Sequence, residues 1–145
     1  MSQLSGKQKK FEYIEHPADI GIRAYGENLQ QLFENAARGL YEILEIQGIQ
    51  KNKGFKRTKN LSADSNEDLL VLFLNEILYI AIKEHLIFEE FSIIINSSGN
   101  TKNLHANMTG YKFNDIGREV KAVTYHHMKI ENINGILQTD IIFDI

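Results

Sequence analysis

Residues 28–44 read Asn-Leu-Gln-Gln-Leu-Phe-Glu-Asn-Ala-Ala-Arg-Gly-Leu-Tyr-Glu-Ile-Leu. Leu29, Leu32, Phe33, Ala36, Leu40 and Leu44 recur at spacings of three and four, so they line one face of an amphipathic helix. Asn28 is a good N-cap, Gln31 three residues later completes a capping-box pattern, and Gly48 is the expected stop. A second helix is expected after Ser65 or Asn66, with Glu67 and Asp68 in its first turn where they favour the helix dipole. Its apolar positions (Leu69, Leu70, Leu72, Phe73, Leu74, Ile77, Leu78, Ile80 and Ala81) nearly encircle the axis, which predicts burial on most sides.

The flanking segments alternate with a period of two. Phe11 and Tyr13, then Ile20, Ile22 and Ala24, read as two short strands separated by a turn at His16-Pro17-Ala18-Asp19. A strand is expected over about 55–63, another over 91–96, and a turn at Ser97-Ser98-Gly99-Asn100. Leu104, Ala106 and Met108 alternate with polar residues, and the change of phase past Gly110 hints at a bulge. Asn114-Asp115-Ile116-Gly117 reads as a turn, 118–130 as strand, Asn132-Ile133-Asn134-Gly135 as a turn, and 136–145 as a last strand. Two helices and about seven strands without βαβ alternation predict an α+β fold: a single domain, largely antiparallel, with the helices packed on the sheet.

Composition narrows the function. The chain has 145 residues, one proline and no cysteine, which suits one domain and excludes disulfide scaffolds, cysteine zinc sites, CxxC redox centres and cysteine nucleophiles. Sixteen Lys+Arg against nineteen Asp+Glu give a net charge of −3, a poor balance for a general nucleic-acid or anionic-membrane binder. Residues 1–10 are polar and are expected to be a disordered segment ahead of a domain spanning 11–145. With no apolar h-region and no bilayer-length apolar run, a cytoplasmic protein without membrane contact is expected.

Motifs for nucleotide hydrolysis, dinucleotide binding and acyl transfer are absent. Two carboxylates stand out. Asp19 follows the Pro17 turn, and Asp144 sits between Phe143 and Ile145 in the final strand. A carboxylate in an apolar setting needs a partner or a cation. Two aspartates plus main-chain or terminal oxygens of Ile145 would suit a hard divalent ion. The plainer alternative has Asp19 capping a turn and Asp144 facing solvent. His126 and His127 are strand neighbours and point to opposite faces, so they do not share a site. The cluster Lys51, Lys53, Lys56, Arg57 and Lys59 reads as solvated loop charge more readily than as a phosphate or RNA contact, because the single interleaved aromatic, Phe55, makes no stacking platform.

Whole strings carry a resemblance. Residues 15–24 (Glu-His-Pro-Ala-Asp-Ile-Gly-Ile-Arg-Ala), 32–40 (Leu-Phe-Glu-Asn-Ala-Ala-Arg-Gly-Leu), Leu69-Leu70 with 73–76 (Phe-Leu-Asn-Glu), 119–126 (Glu-Val-Lys-Ala-Val-Thr-Tyr-His) and the closing Phe143-Asp144-Ile145 resemble, in order, the signatures of the archease family. The chain departs at Pro17, where many members have Thr. The resemblance covers nearly everything from Phe11 onward. It implies an accessory protein, not an enzyme. Its partner would be an RtcB-type RNA ligase, whose guanylylation and repeated turnover it would promote in tRNA splicing or RNA repair, touching RNA only through the ligase. It further implies a divalent cation, commonly calcium, with Mg²⁺ or Mn²⁺ as alternatives, held by Asp19, Asp144 and the Ile145 main-chain oxygens. His16, Lys121 and His126 match motif positions in supporting roles. A chaperone-like partnership with tRNA-modifying methyltransferases is the alternative the family suggests. A stand-alone metal hydrolase is disfavoured, since no nucleophile-activating base accompanies the carboxylates.

Overall fold

Side-chain caps start both helices. In the computed structural model, which describes residues 9–15, 19–124 and 128–145, the Asn28 side-chain oxygen accepts from Gln31 N at 2.8 Å and α1 runs Leu29–Leu44. The Gln31 carboxamide reaches one residue beyond the expected box and accepts from Glu27 N at 2.6 Å. The Ser65 hydroxyl accepts from Asp68 N at 3.0 Å, and α2 runs Asn66–Glu84. Both helices stop on non-glycine residues in the left-handed region, Glu45 (φ 53°) and His85 (φ 52°). The expected stop at Gly48 therefore falls three residues late. Gly48 (φ 74°) serves the next turn, where a Cβ would lie 2.3 Å from the Asn114 side-chain nitrogen.

Ten strands are described. β1 (Phe11–Ile14), β2 (Ile20–Gly26), β8 (Ala122–Val123), β9 (Glu131–Ile133) and β10 (Ile136–Asp144) form one sheet. Its order is β1-β2-β10-β8, with β9 beside β8 on the same flank of β10. β3 (Ile46–Gln47) and β7 (Asp115–Ile116) make a two-stranded ribbon. β4 (Gln50–Ala63), β6 (Thr101–Lys112) and β5 (Leu86–Ser98) form a second sheet in the order β4-β6-β5. Every pairing is antiparallel, as the α+β reading expects.

The core lies between the sheets. α1 packs on β2 and α2 on the second sheet, and the helices touch each other. Leu32, Phe33, Ala36, Leu40, Ile43 and Leu44 are fully buried from α1, against Leu69, Leu70, Phe73, Leu74 and Ile77 from α2. Each large apolar side chain so removed from water contributes roughly 1.5–3 kcal/mol. α2 is buried on most sides as expected, but Leu72, Tyr79 and Ile82 remain exposed along one stripe. Among the described residues no helix is long and apolar enough to cross a membrane.

Three expectations are corrected. Residues 50–54 extend β4, so the basic cluster lies on an edge strand and not in a loop. Asp115 and Ile116 pair with β3 inside the expected 114–117 turn. Of the expected strand over 118–130, the described residues are strand at Ala122–Val123. There the Asn75 carboxamide on α2 takes both backbone groups of Val123, accepting from its N–H at 2.9 Å and donating to its C=O at 3.1 Å. Glu67 likewise accepts from Ile130 N at 3.0 Å. Helix side chains thus replace a neighbouring strand along this stretch. The expected Pro17 turn (16–18) and His126 with His127 lie outside the described residues, as does most of the 1–10 segment. Lys10 is described, and its carbonyl accepts from Tyr25 N at 2.9 Å.

Candidate metal centre

The register between β2 and β10 runs from Leu137↔Gly26 to Phe143↔Ile20. Just past that last pair come Asp144 on β10 and, in the bend before β2, Asp19. Directly opposed residues of an antiparallel pair project to the same face. Ile22, Ile141 and Phe143 are fully buried on the helix side, so Asp144, next after Phe143 in β10, belongs to the opposite, outer face, while Asp19 lies in the bend just before β2. On the other flank of β10, Ala122 pairs with Asp144, and Lys121 N donates to the Asp144 carbonyl at 2.7 Å. The main-chain oxygen of Asp144 is therefore used by the ladder. Its exposed carboxylate makes no hydrogen bond or ion pair with a described residue. Ile145 is 40% exposed at the chain end. The fold thus brings Asp19, Asp144 and Ile145 to one corner, with Lys121 exposed beside them. His16 and His126 fall outside the described residues.

A cleft of about 890 Å³ opens next to Asp19, lined by Tyr13, Ile14, Glu15, Asp19, Ile20, Glu45 and Arg118. Arg118 approaches Glu45 at 3.4 Å. The Tyr13 hydroxyl donates to Glu42 at 2.9 Å, and partial burial, then this carboxylate, push its pKa up. These residues come from β1, the end of α1 and the segment after β7. No local pattern links them, so periodicity and spacing left them unmarked.

Elsewhere on the outer face, charged side chains of β1, β2 and β10 are paired. The Tyr25 hydroxyl donates to Glu12 and holds that carboxyl below its ordinary range. Arg23 grips Asp140 at 2.7 and 3.1 Å, which raises the guanidinium pKa. Both partners are more than a third exposed, so the pair adds little stability. Asp19 and Asp144 sit at the end of the β2–β10 pairing, past Phe143↔Ile20.

The donor chemistry fits a hard cation. Among the described residues no three His, Cys, Asp or Glu side chains converge. An ion here would take carboxylate oxygens from Asp19 and Asp144 and complete its shell from Ile145, water or a partner. Among the described residues, this corner offers soft or borderline ions no imidazole or thiolate donor. The basic cluster, in turn, is largely occupied. Lys51 pairs with Glu89 at 3.2 Å, Arg57 with Glu84 at 2.6 Å and Lys59 with Glu76 at 3.2 Å. Lys53 stands over the Phe55 ring at 5.2 Å. Lys56 forms no ion pair among the described residues.

Comparison with known proteins decides the family. Residues 11–145 match the model of the Archease protein family (MTH1598/TM1083). The chain belongs to the archease family. It is 38% identical over 128 residues to "Protein archease" of Sulfurisphaera tokodaii, covering 86% of this chain and 90% of that protein. It is 36% identical over 130 residues to "Protein archease" of Pyrococcus abyssi, with the same coverages. The solution structure of Methanobacterium thermoautotrophicum protein 1598 superposes with a TM-score of 0.78 at 29% identity, covering 95% of this chain and all of the other. The crystal structure from Thermotoga maritima, described as an archease and possible chaperone, superposes at 0.61 with 28% identity, covering 91% and 94%. The archease resemblance of the five sequence strings and the α+β fold are thereby borne out.

Proposed function

We propose that the chain is an accessory protein of an RtcB-type RNA ligase, promoting its guanylylation and multiple turnover in tRNA splicing or RNA repair, and does no catalysis of its own. The observation that supports this reading is the β2–β10 pairing, which brings the segment with Asp19 to the same end of the sheet as Asp144 and Ile145, in a chain of the archease family. Asp19, Asp144 and the Ile145 oxygens hold a divalent cation, calcium first and Mg²⁺ or Mn²⁺ otherwise. Bound there, the ion supplies a fixed positive centre with coordination positions open to a partner's oxygens. The chain's own residues do the positioning. β8 locks the Asp144 main chain through Lys121 N, leaving its carboxylate directed outward, and the cleft at Tyr13, Glu15 and Glu45 offers a docking wall. Activation follows if this corner binds the guanylylation-competent state of the ligase better than its other state, and only to the extent of that difference.

The test adds Asp19→Ala and Asp144→Ala variants to the cognate ligase. Guanylylation and turnover are expected to fall to the level of ligase alone, with the melting temperature of each variant checked separately. Full stimulation by both variants sinks the carboxylate-site reading. The alternative, a chaperone-like role toward tRNA-modifying methyltransferases, is supported by the description of the Thermotoga protein as a possible chaperone. It predicts a changed methyltransferase oligomeric state without any effect on ligase guanylylation.

A further inference from the structure

The second sheet has two edges, and the sequence treats them in opposite ways. The β4 edge carries Lys51, Lys53, Lys56, Arg57 and Lys59, and lysines on an edge repel an incoming strand. The β5 edge carries no charge from Phe91 to Asn100 and holds Ile93-Ile94-Ile95. Ile94 is 55% exposed. α1 covers only the start of β5: the Tyr41 hydroxyl accepts from Phe88 N at 3.1 Å, and Arg38 donates to the Glu89 carbonyl at 3.4 Å. Beyond Glu89, β5 pairs with β6 alone among the described strands.

Hairpin geometry fixes which backbone groups face outward. β5 and β6 meet at the two-residue turn Gly99-Asn100, with Ser98 opposite Thr101. The pair flanking a two-residue turn is hydrogen-bonded, and bonding alternates along the ladder. Ser98, Asn96, Ile94 and Ser92 therefore bond to β6. Ile93, Ile95 and Ser97 turn their N–H and C=O groups to the open edge.

We infer that the β5 edge over residues 92–98 pairs antiparallel with the same edge of a second copy of this chain. The two-fold axis passes at Ile94. Ile94 then opposes Ile94 of the second copy on the outer face, and Ile93 exchanges both backbone hydrogen bonds with Ile95 of the second copy. Charge selects this occupant. β4 on β4 brings together Lys53 and Lys56 of both copies, which have no ion pair among the described residues, and that is unfavourable. β4 on β5 is heterologous and closes only if its rotation completes a ring, whereas β5 on β5 is isologous and closes as a dimer by its symmetry. The seam is short, so the dimer is weak and concentration-dependent.

Sedimentation velocity of the full chain from about 10 μM to about 1 mM covers the range expected for so small an interface. The dimer fraction is expected to rise with concentration. Ile94→Lys, at an exposed position, is expected to keep the melting temperature and to raise the dissociation constant by roughly tenfold or more, since it places like charges directly across the seam. In wild type, the Ile93 and Ile95 amides gain hydrogen-exchange protection with concentration, and the Ile94 amide does not. A monomer throughout the range overturns the inference. So does a dimer that survives Ile94→Lys or is lost instead in Tyr79→Ser, which points to the α2 stripe. Concentration-independent protection of Ile93 and Ile95 in a monomer also overturns it, because another strand then occupies the edge.

Discussion

Gly110 decides how the second sheet closes. It pairs with Phe55 on one side and Phe88 on the other, at the step where β5 bulges between Phe88 and Glu90. A Cβ on Gly110 would lie 1.7 Å from the Ile87 carbonyl oxygen and 2.6 Å from its carbon. Both are backbone atoms of a central ladder and cannot swing aside as a side-chain tip would. Gly110→Ala is expected to cost more than about 2 kcal/mol, in the range of overpacking that forces backbone shifts. Gly54→Ala is the control: its nearest neighbour would be 3.8 Å away, and a change within about 0.5 kcal/mol is expected. Urea unfolding of the two variants measures the contrast, and equal losses would refute the steric account. The sequence marked this residue through the phase change past Gly110. It did not say that the extra residue belongs to β5, because a bulge is a property of two strands and only one was being read.

At the scale of elements, the helices were legible and the short strands were not. Asn28 and Ser65 announce helix starts through local hydrogen bonds, and the apolar spacing of α1 follows from its own turn. β3, β7 and β8 each span two residues and exist only because distant segments lie beside them. β8 shows the dependence most clearly: Asn75 on α2 mimics a strand partner for Val123, and β8 in turn borders Asp144. Asn75→Ala removes both bonds and leaves half-buried backbone groups unpaired, so a loss of about 1–3 kcal/mol is expected. The Val123 amide should then exchange faster while amides within α2 are unchanged. Asn75→Asp keeps the acceptor and removes the donor, so it should fall between wild type and Ala. Unaltered exchange at Val123 in Asn75→Ala would show that β10 alone holds β8.

At the scale of the whole molecule, the candidate site joins the two ends of the chain, so no local window contains it. Asp19 and Asp144 are each ordinary in sequence; their meeting depends on β10 returning to pair with β2, a contact more than 100 residues apart along the chain. The family strings pointed to both residues together, and periodicity alone left their relation open. This arrangement has a thermodynamic consequence that needs no ligase. A cation held by Asp19 and Asp144, as proposed, would bind only when β2 and β10 are paired and would stabilise the folded chain by mass action. At a free cation concentration of 100 times the dissociation constant the gain is about 2.7 kcal/mol, which for a domain of this size raises the melting temperature by on the order of 5–10 °C. Calcium titrated into the full chain is expected to give that rise, reversed by a chelator. Asp19→Asn and Asp144→Asn should each flatten the dependence on calcium, whatever their own baseline melting temperatures. Calcium stabilisation that persists in both variants would place the ion elsewhere, even if the same variants failed to activate the ligase. The melting experiment therefore separates cation binding at this corner from the use that a partner makes of it.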